Sequence, residues 1–113
     1  MAHTILHLNT ERSWRGGEAQ TLRLARGLGS RGHRSLVVAQ PASPLLERAR
    51  SAGLEAFPIS MRGECDLAAA RRLAALIRAQ GVSLLHYHTA HAVAIGTLAT
   101  FFCGRRMEQT SHQ

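Results

Sequence analysis

Lysine is absent from this 113-residue sequence. All fourteen basic residues are arginine, set against seven acidic ones, for a net charge of +7 with histidine neutral. An arginine-only excess reflects the base composition of a coding sequence as much as chemistry. Aromatic residues are also scarce, at 4 %. Basic residues without interleaved aromatics count against a nucleic-acid surface. The positive balance still permits contact with phosphate groups or an anionic membrane face. There are only two cysteines, Cys65 and Cys103. That excludes a disulfide-dense secreted scaffold and suits reduced, buried thiols in the cytoplasm. No long apolar run exists. The longest, Ala92 to Cys103, falls short of the roughly 20 residues that span a bilayer and reads as a buried helix. The opening MAHTILHLN lacks the basic and apolar regions of a signal peptide. What is present is a globular composition, 45 % hydrophobic and 19 % charged, in a length that suits one domain.

Strands and helices alternate along the chain. Thr4 to Asn9 reads as a strand, followed by a polar loop from Thr10 to Gly17. Glu18 to Arg31 reads as a helix, with Leu22, Ala25 and Leu28 on one face and Gly32 at its C-terminal stop. Ser35 to Ala39 is the second strand. Ser43 and Pro44 are an N-cap and a first helical residue, and Gly53 ends that helix. Glu55 to Ser60 is a weaker strand that Pro58 assigns to a sheet edge. Asp66 caps a third helix, whose Ala70, Leu73, Ala74 and Ile77 share a face, and Gly81 stops it. Val82 to His88 is the fourth strand and Ala92 to Cys103 the fourth helix. This rhythm implies parallel βαβ units, an α/β, Rossmann-like sheet covered on both faces, with strand order 3-2-1-4. Residues 1–104 form the folded unit. Residues 105–113 carry no strand pattern and read as an irregular tail, which leaves the apolar fourth strand as an edge and suggests part of a larger domain.

Two segments carry candidate chemistry. Arg15-Gly16-Gly17-Glu18 links the first strand to the first helix. Glycines there let a ligand approach the backbone, and a helix N-terminus offers free N–H groups to a phosphate. A tight turn needing glycine and nothing more explains the pair equally well. His86-Tyr87-His88-Thr89-Ala90-His91 closes the fourth strand. His86 and His88 face one side of it and suit metal ligation, with His91 as a third ligand. A packed histidine and a cleft-lining one are the preferred account, and no metal is expected. The first and fourth strands are neighbours whose connections leave in opposite directions. Ligands of open α/β sheets bind at that switch point, so Gly16, Gly17, His88 and His91 are expected to face one cleft. Trp14 suits either stacking on a sugar or base, or covering the core. Arg62-Gly63-Glu64 reads as a turn, and Arg71, Arg72 and Arg78 as a solvated helix face.

Ile5-Leu6-His7-Leu8-Asn9, then Trp14-Arg15-Gly16-Gly17-Glu18, Leu22, Leu24-Ala25 and Arg31-Gly32-His33 resemble the opening of family-four glycosyltransferases. Met61-Arg62-Gly63-Glu64 and Leu85-His86-Tyr87-His88-Thr89-Ala90-His91 fit the same group. The resemblance covers about residues 3 to 103. It implies the GT-B architecture, two Rossmann-like domains with the active site between them, of which this chain is an incomplete acceptor-side first domain. It implies transfer of a sugar from a nucleotide-sugar donor to an envelope polysaccharide or lipid-linked acceptor, with retention at the anomeric carbon. The nucleotide sugar is a co-substrate, and no cofactor or structural metal is required. Gly16, Gly17 and Glu18 correspond to the loop near the donor diphosphate. Trp14, Arg15, His88 and His91 line the cleft. The family's active-site histidine follows a fifth strand. With no strand expected before His112, that role stays unassigned and the catalytic residues unknown. The implied partners are donor, acceptor and a missing C-terminal domain, at the cytoplasmic face of the membrane, with no nucleic acid. A stand-alone module that binds an anionic or phosphorylated ligand without catalysis is the alternative.

Overall fold

A computed structural model describes residues 3–13, 16–63, 66–103 and 108–111. In chain order the elements are β1 (Thr4–Leu8), α1 (Gly16–Ser30), β2 (Arg34–Ala39), α2 (Pro44–Ser51), β3 (Glu55–Pro58), α3 (Leu67–Gln80), β4 (Leu84–Tyr87), α4 (Ala90–Cys103) and β5 (Glu108–Ser111). The strands make one parallel sheet in the order β3-β2-β1-β4-β5. The 3-2-1-4 core of the sheet and the edge placement of Pro58 agree with the sequence.

The tail does not. Residues 108–111 were expected to be irregular. They pair with β4 from Leu84↔Glu108 to Tyr87↔Ser111. The physical reason lies in β4, whose outer row of N–H and C=O groups is a template for any extended backbone. Ladder bonds use the main chain, so Glu108-Gln109-Thr110-Ser111 needs no apolar pattern to fill the place. Tyr87 reinforces it by donating its hydroxyl to Gln109 Oε1 at 2.5 Å. β4 is therefore interior, as its apolar residues require.

Alternation along each strand builds two layers. Leu6 and Leu8 of β1, Leu36 and Val38 of β2, and Leu85 and Tyr87 of β4 pack with Leu73 and Ile77 of α3 and Ile95 and Ala99 of α4. The opposite-facing Val37 and Ala39 pack with Ala25 of α1 and Leu45, Leu46 and Ala49 of α2. Asp66 caps α3 by accepting from the Ala69 amide, and Gly81 stops it in the left-handed conformation, φ 65°. That conformation is open to glycine at little cost.

Arg71, Arg72 and Arg78 are not simply a solvated face. Arg78 donates to the carbonyls of Phe102 at 2.7 Å and Cys103 at 2.9 Å, closing the C-terminus of α4. Arg71 lies over the Phe102 ring, 5.3 Å from its centre. Both arginines tie α3 to α4, and Arg72 is exposed. Among the described residues no helix is long and apolar enough to cross a membrane.

Candidate functional site

Buried Asn9, Gln40 and His88 follow directly on the carboxyl ends of β1, β2 and β4. Gly16 and Gly17, expected in a loop, open the first turn of α1 instead. Gly17 is exposed, its φ is not in the left-handed region, and a Cβ there would meet nothing within 4 Å. Glu18 is buried beside it. Thr21 donates from its hydroxyl back to the Gly17 carbonyl at 3.0 Å and accepts from Asn9 Nδ2 at 3.2 Å, which pins the start of α1 to the end of β1. Trp14 and Arg15 lie outside the described residues.

The expected single cleft is two hollows. One, of about 590 Å³, lies under α1 and is lined by Gln20, Arg23, Leu24, His86 and His88. The other, of about 360 Å³, is lined by Thr10, Glu11, Arg12, Ser13, Gln40, Met61, Arg62, Gly63, His91 and Ile95. Strand alternation separates the histidines. His86 and His88 share the α1 side of β4, whereas His91 sits in the first turn of α4 and borders the second hollow. His88 and His91 therefore line different hollows, and Gly17 stands outside both linings.

The third member of the histidine group is His7, which sequence reasoning missed. His7 pairs with His86 across the β1–β4 ladder. The ring centres of His86 and His88 are 4.4 Å apart, and those of His7 and His88 5.4 Å. His7 Nδ1 lies 3.1 Å from His88 Nε2, and the His7 side chain is fully buried. Burial first, and then the nearby charge of His86, pull the His7 pKa down to about 4. The available signal was period two: His7, His86 and His88 all lie on the face opposite the Leu6/Leu8 and Leu85/Tyr87 core. Among the described residues no group of three or more histidine, cysteine or acidic side chains is arranged to hold a metal ion.

Gln40 was also missed. It follows β2, is 2 % exposed, and joins two loops. Its Nε2 donates to the carbonyls of Thr10 at 3.0 Å and Met61 at 2.6 Å, while its Oε1 accepts from the Met61 amide at 2.9 Å. Arg12 Nη2 donates to the same Met61 carbonyl at 3.2 Å. Thr10 and Thr89 join their hydroxyls at 2.7 Å, which ties the β1 loop to the start of α4. The position of Gln40, at the carboxyl end of a central strand, was the readable clue.

A parallel sheet of this order, with helices on both faces and buried polar residues following its central strands, matches the Rossmann-like first domain of GT-B glycosyltransferases. The chain belongs to Glycosyltransferase Family 4, whose family model matches residues 14–113. Its fold is similar to a glycosyltransferase from Rickettsia africae ESF-5, with TM-score 0.79 and 17 % identity over 97 % of this chain and 29 % of that one. It is similar to Anabaena Alr3699/HepE, solved in complex with UDP and glucose, with TM-score 0.73 and 16 % identity over 95 % and 29 % of the respective chains. It is similar to Acinetobacter baumannii MurG, with TM-score 0.74 and 14 % identity over 98 % and 35 %. The 113 residues thus span about a third or less of these relatives. No curated protein sequence matches the chain.

Proposed function

We propose that this chain is the acceptor-side part of a retaining glycosyltransferase. It would move a hexose from a nucleotide sugar to an envelope polysaccharide or lipid-linked acceptor. The observation that carries the reading is Gly17. The fold needs no glycine there, since φ is ordinary and the space beside Cα is open. A bare, exposed backbone at a helix N-terminus at the switch point suits the close approach of a diphosphate. Family membership supports the sugar-transfer chemistry. The nucleotide sugar serves as co-substrate and no resident cofactor is assigned. A lipid-linked acceptor places the work at the cytoplasmic face of the membrane. β5 ends at Ser111, so His112 follows a fifth strand and becomes the candidate for the family's active-site histidine; it lies outside the described residues.

The test incubates the protein, as its gene encodes it, with labelled nucleoside-diphosphate hexoses and envelope lipid extract. Expected are label in the lipid or polysaccharide fraction, an unchanged anomeric configuration, and loss of transfer in His112→Ala. Saturable binding of a phosphorylated ligand with no transfer from any donor would overturn the reading in favour of a binding module.

A further inference from the structure

The hollow of about 360 Å³ has a consistent electrostatic character. Arg12 and Arg62 border it with one lining acid, Glu11, and the Asp66 carboxylate acts on Arg62 from outside the lining. Its size falls within the range of small-ligand sites. Its walls are also fixed. Buried Gln40 makes three hydrogen bonds that hold the Thr10 and Met61 backbones at a set spacing. Arg12 is anchored by one N–H to the Met61 carbonyl, and its remaining N–H groups are not committed to any bond within the described residues. The backbone of Arg62 is held by its amide, which donates to Asp66 Oδ2 at 3.0 Å. Two guanidinium groups are thus carried on loops stapled to each other, 50 residues apart in sequence. Planar guanidiniums match the oxygens of a phosphate and bind it more strongly than neutral donors do. The first turn of α4, which carries His91, adds the positive end of a 14-residue helix.

We propose that this hollow binds the phosphate group of the acceptor, with Arg12 and Arg62 as the clamp and Gln40 as the positioning residue beneath it. The acceptor class is then a phosphorylated sugar or a lipid phosphate, rather than a neutral saccharide end. This rests on the transferase reading for the word acceptor; the phosphate site itself does not.

Amide NMR of the 113-residue chain tests it. The probes are inorganic phosphate, a hexose 1-phosphate, the same hexose unphosphorylated, a nucleoside diphosphate, and vesicles of phosphatidic acid or phosphatidylcholine. Expected are saturable shifts at residues 10–13, 61–63 and 91, with the hexose 1-phosphate bound at least tenfold more tightly than the hexose. Arg62→Ala, which removes a charge near Asp66 but no side-chain hydrogen bond among the described residues, loses tenfold or more with an unchanged melting temperature, and Arg72→Ala on the exposed face of α3 loses nothing. Binding of hexose 1-phosphate marks a soluble acceptor. Arg62-dependent binding of phosphatidic acid vesicles alone marks a lipid-borne one. Either result supports the clamp. Equal binding of the neutral hexose, unchanged binding in Arg62→Ala, or a nucleoside diphosphate as the preferred ligand would each overturn it. If transfer fails while Arg62-dependent phosphate binding persists, the transferase reading falls and the site stands. If transfer proceeds without that binding, the site falls alone.

Discussion

His7 Nδ1 and His88 Nε2 meet at 3.1 Å across neighbouring strands, where the His7 side chain is fully buried. One ring donates and the other accepts, so His7 stays neutral. Its pKa is held at about 4 by burial and then by His86. His86 and His88 face it from β4, and Arg23 borders the same hollow from α1. The unfolded chain takes up this proton near pH 6.5, whereas the folded chain does so only near 4. Between those values the unfolded state holds more protons. The stability contributed is complete above about pH 6.5, falls as the pH drops through the window, and is gone below about 4. The loss amounts to about 3 kcal/mol. Urea unfolding at pH 7, 5.5 and 4 should show it, and His7→Gln should flatten the profile. An equally steep profile in that variant would place the effect elsewhere.

Gly96 in α4 lies directly over the Tyr87 ring. A Cβ at that position would fall on the ring carbons and come within 2.6 Å of the hydroxyl. Tyr87 is 2 % exposed and fastened to Gln109, so it has little room to yield. Overpacking costs about 1–3 kcal/mol, while alanine gains up to about 1 kcal/mol of helix propensity over glycine. Gly96→Ala should therefore destabilise by about 1–2 kcal/mol and loosen β5. Denaturant midpoints and hydrogen exchange at residues 108–111 read the two effects. A midpoint equal to or above wild type would mean that α4 shifts freely away from β4.

Arg78 closes α4 through two carbonyls that no helical N–H can reach. Losing both bonds in Arg78→Ala should cost about 1 kcal/mol. Arg72→Ala, six residues earlier on the same helix and exposed, should cost a few tenths at most. Thermal melts of the pair decide it. Equal stability of the two variants would return Arg78 to the solvent.

The parts of the fold legible in sequence were those written in apolar period and turn residues. Leu6 and Leu8, Leu36 and Val38, and Leu73 and Ile77 announce their faces, and Ser43, Asp66 and Gly81 announce helix ends. β5 was illegible because an edge strand is held by backbone bonds and the sequence Glu-Gln-Thr-Ser has no side to bury. At the site, the strand ends were legible and the side-chain directions were not. His91 looks adjacent to His88 in sequence, but the turn at Thr89 sends it to another hollow. Gln40 was marked only by its place after β2, since its role exists only once Thr10 and Met61 are brought beside it.

The 113 residues by themselves are expected to transfer no sugar. Transfer needs donor and acceptor held in near-attack geometry, an effect worth about 7–11 kcal/mol. The two hollows have separate linings, and Gly17 is exposed and belongs to neither. Labelled nucleotide sugars with lipid extract provide the assay. Turnover above background by this chain would show that one such surface suffices.

Gly17→Ala separates the two meanings of the glycine pair. If glycine is there for the turn, a methyl group should strain the chain. The geometry says otherwise, since φ is ordinary and no atom lies within 4 Å of the added carbon. Position 17 is also in the first turn of α1, where alanine is the better helix former by up to about 1 kcal/mol. The variant should fold with unchanged or slightly higher melting temperature. Binding should suffer, because the methyl group projects into the space through which a diphosphate would reach the helix N-terminus. An affinity loss of tenfold or more for a nucleoside-diphosphate hexose, measured by calorimetry on the protein as its gene encodes it, is the expected result. A variant that melts as wild type and binds as wild type would remove Gly17 from the site.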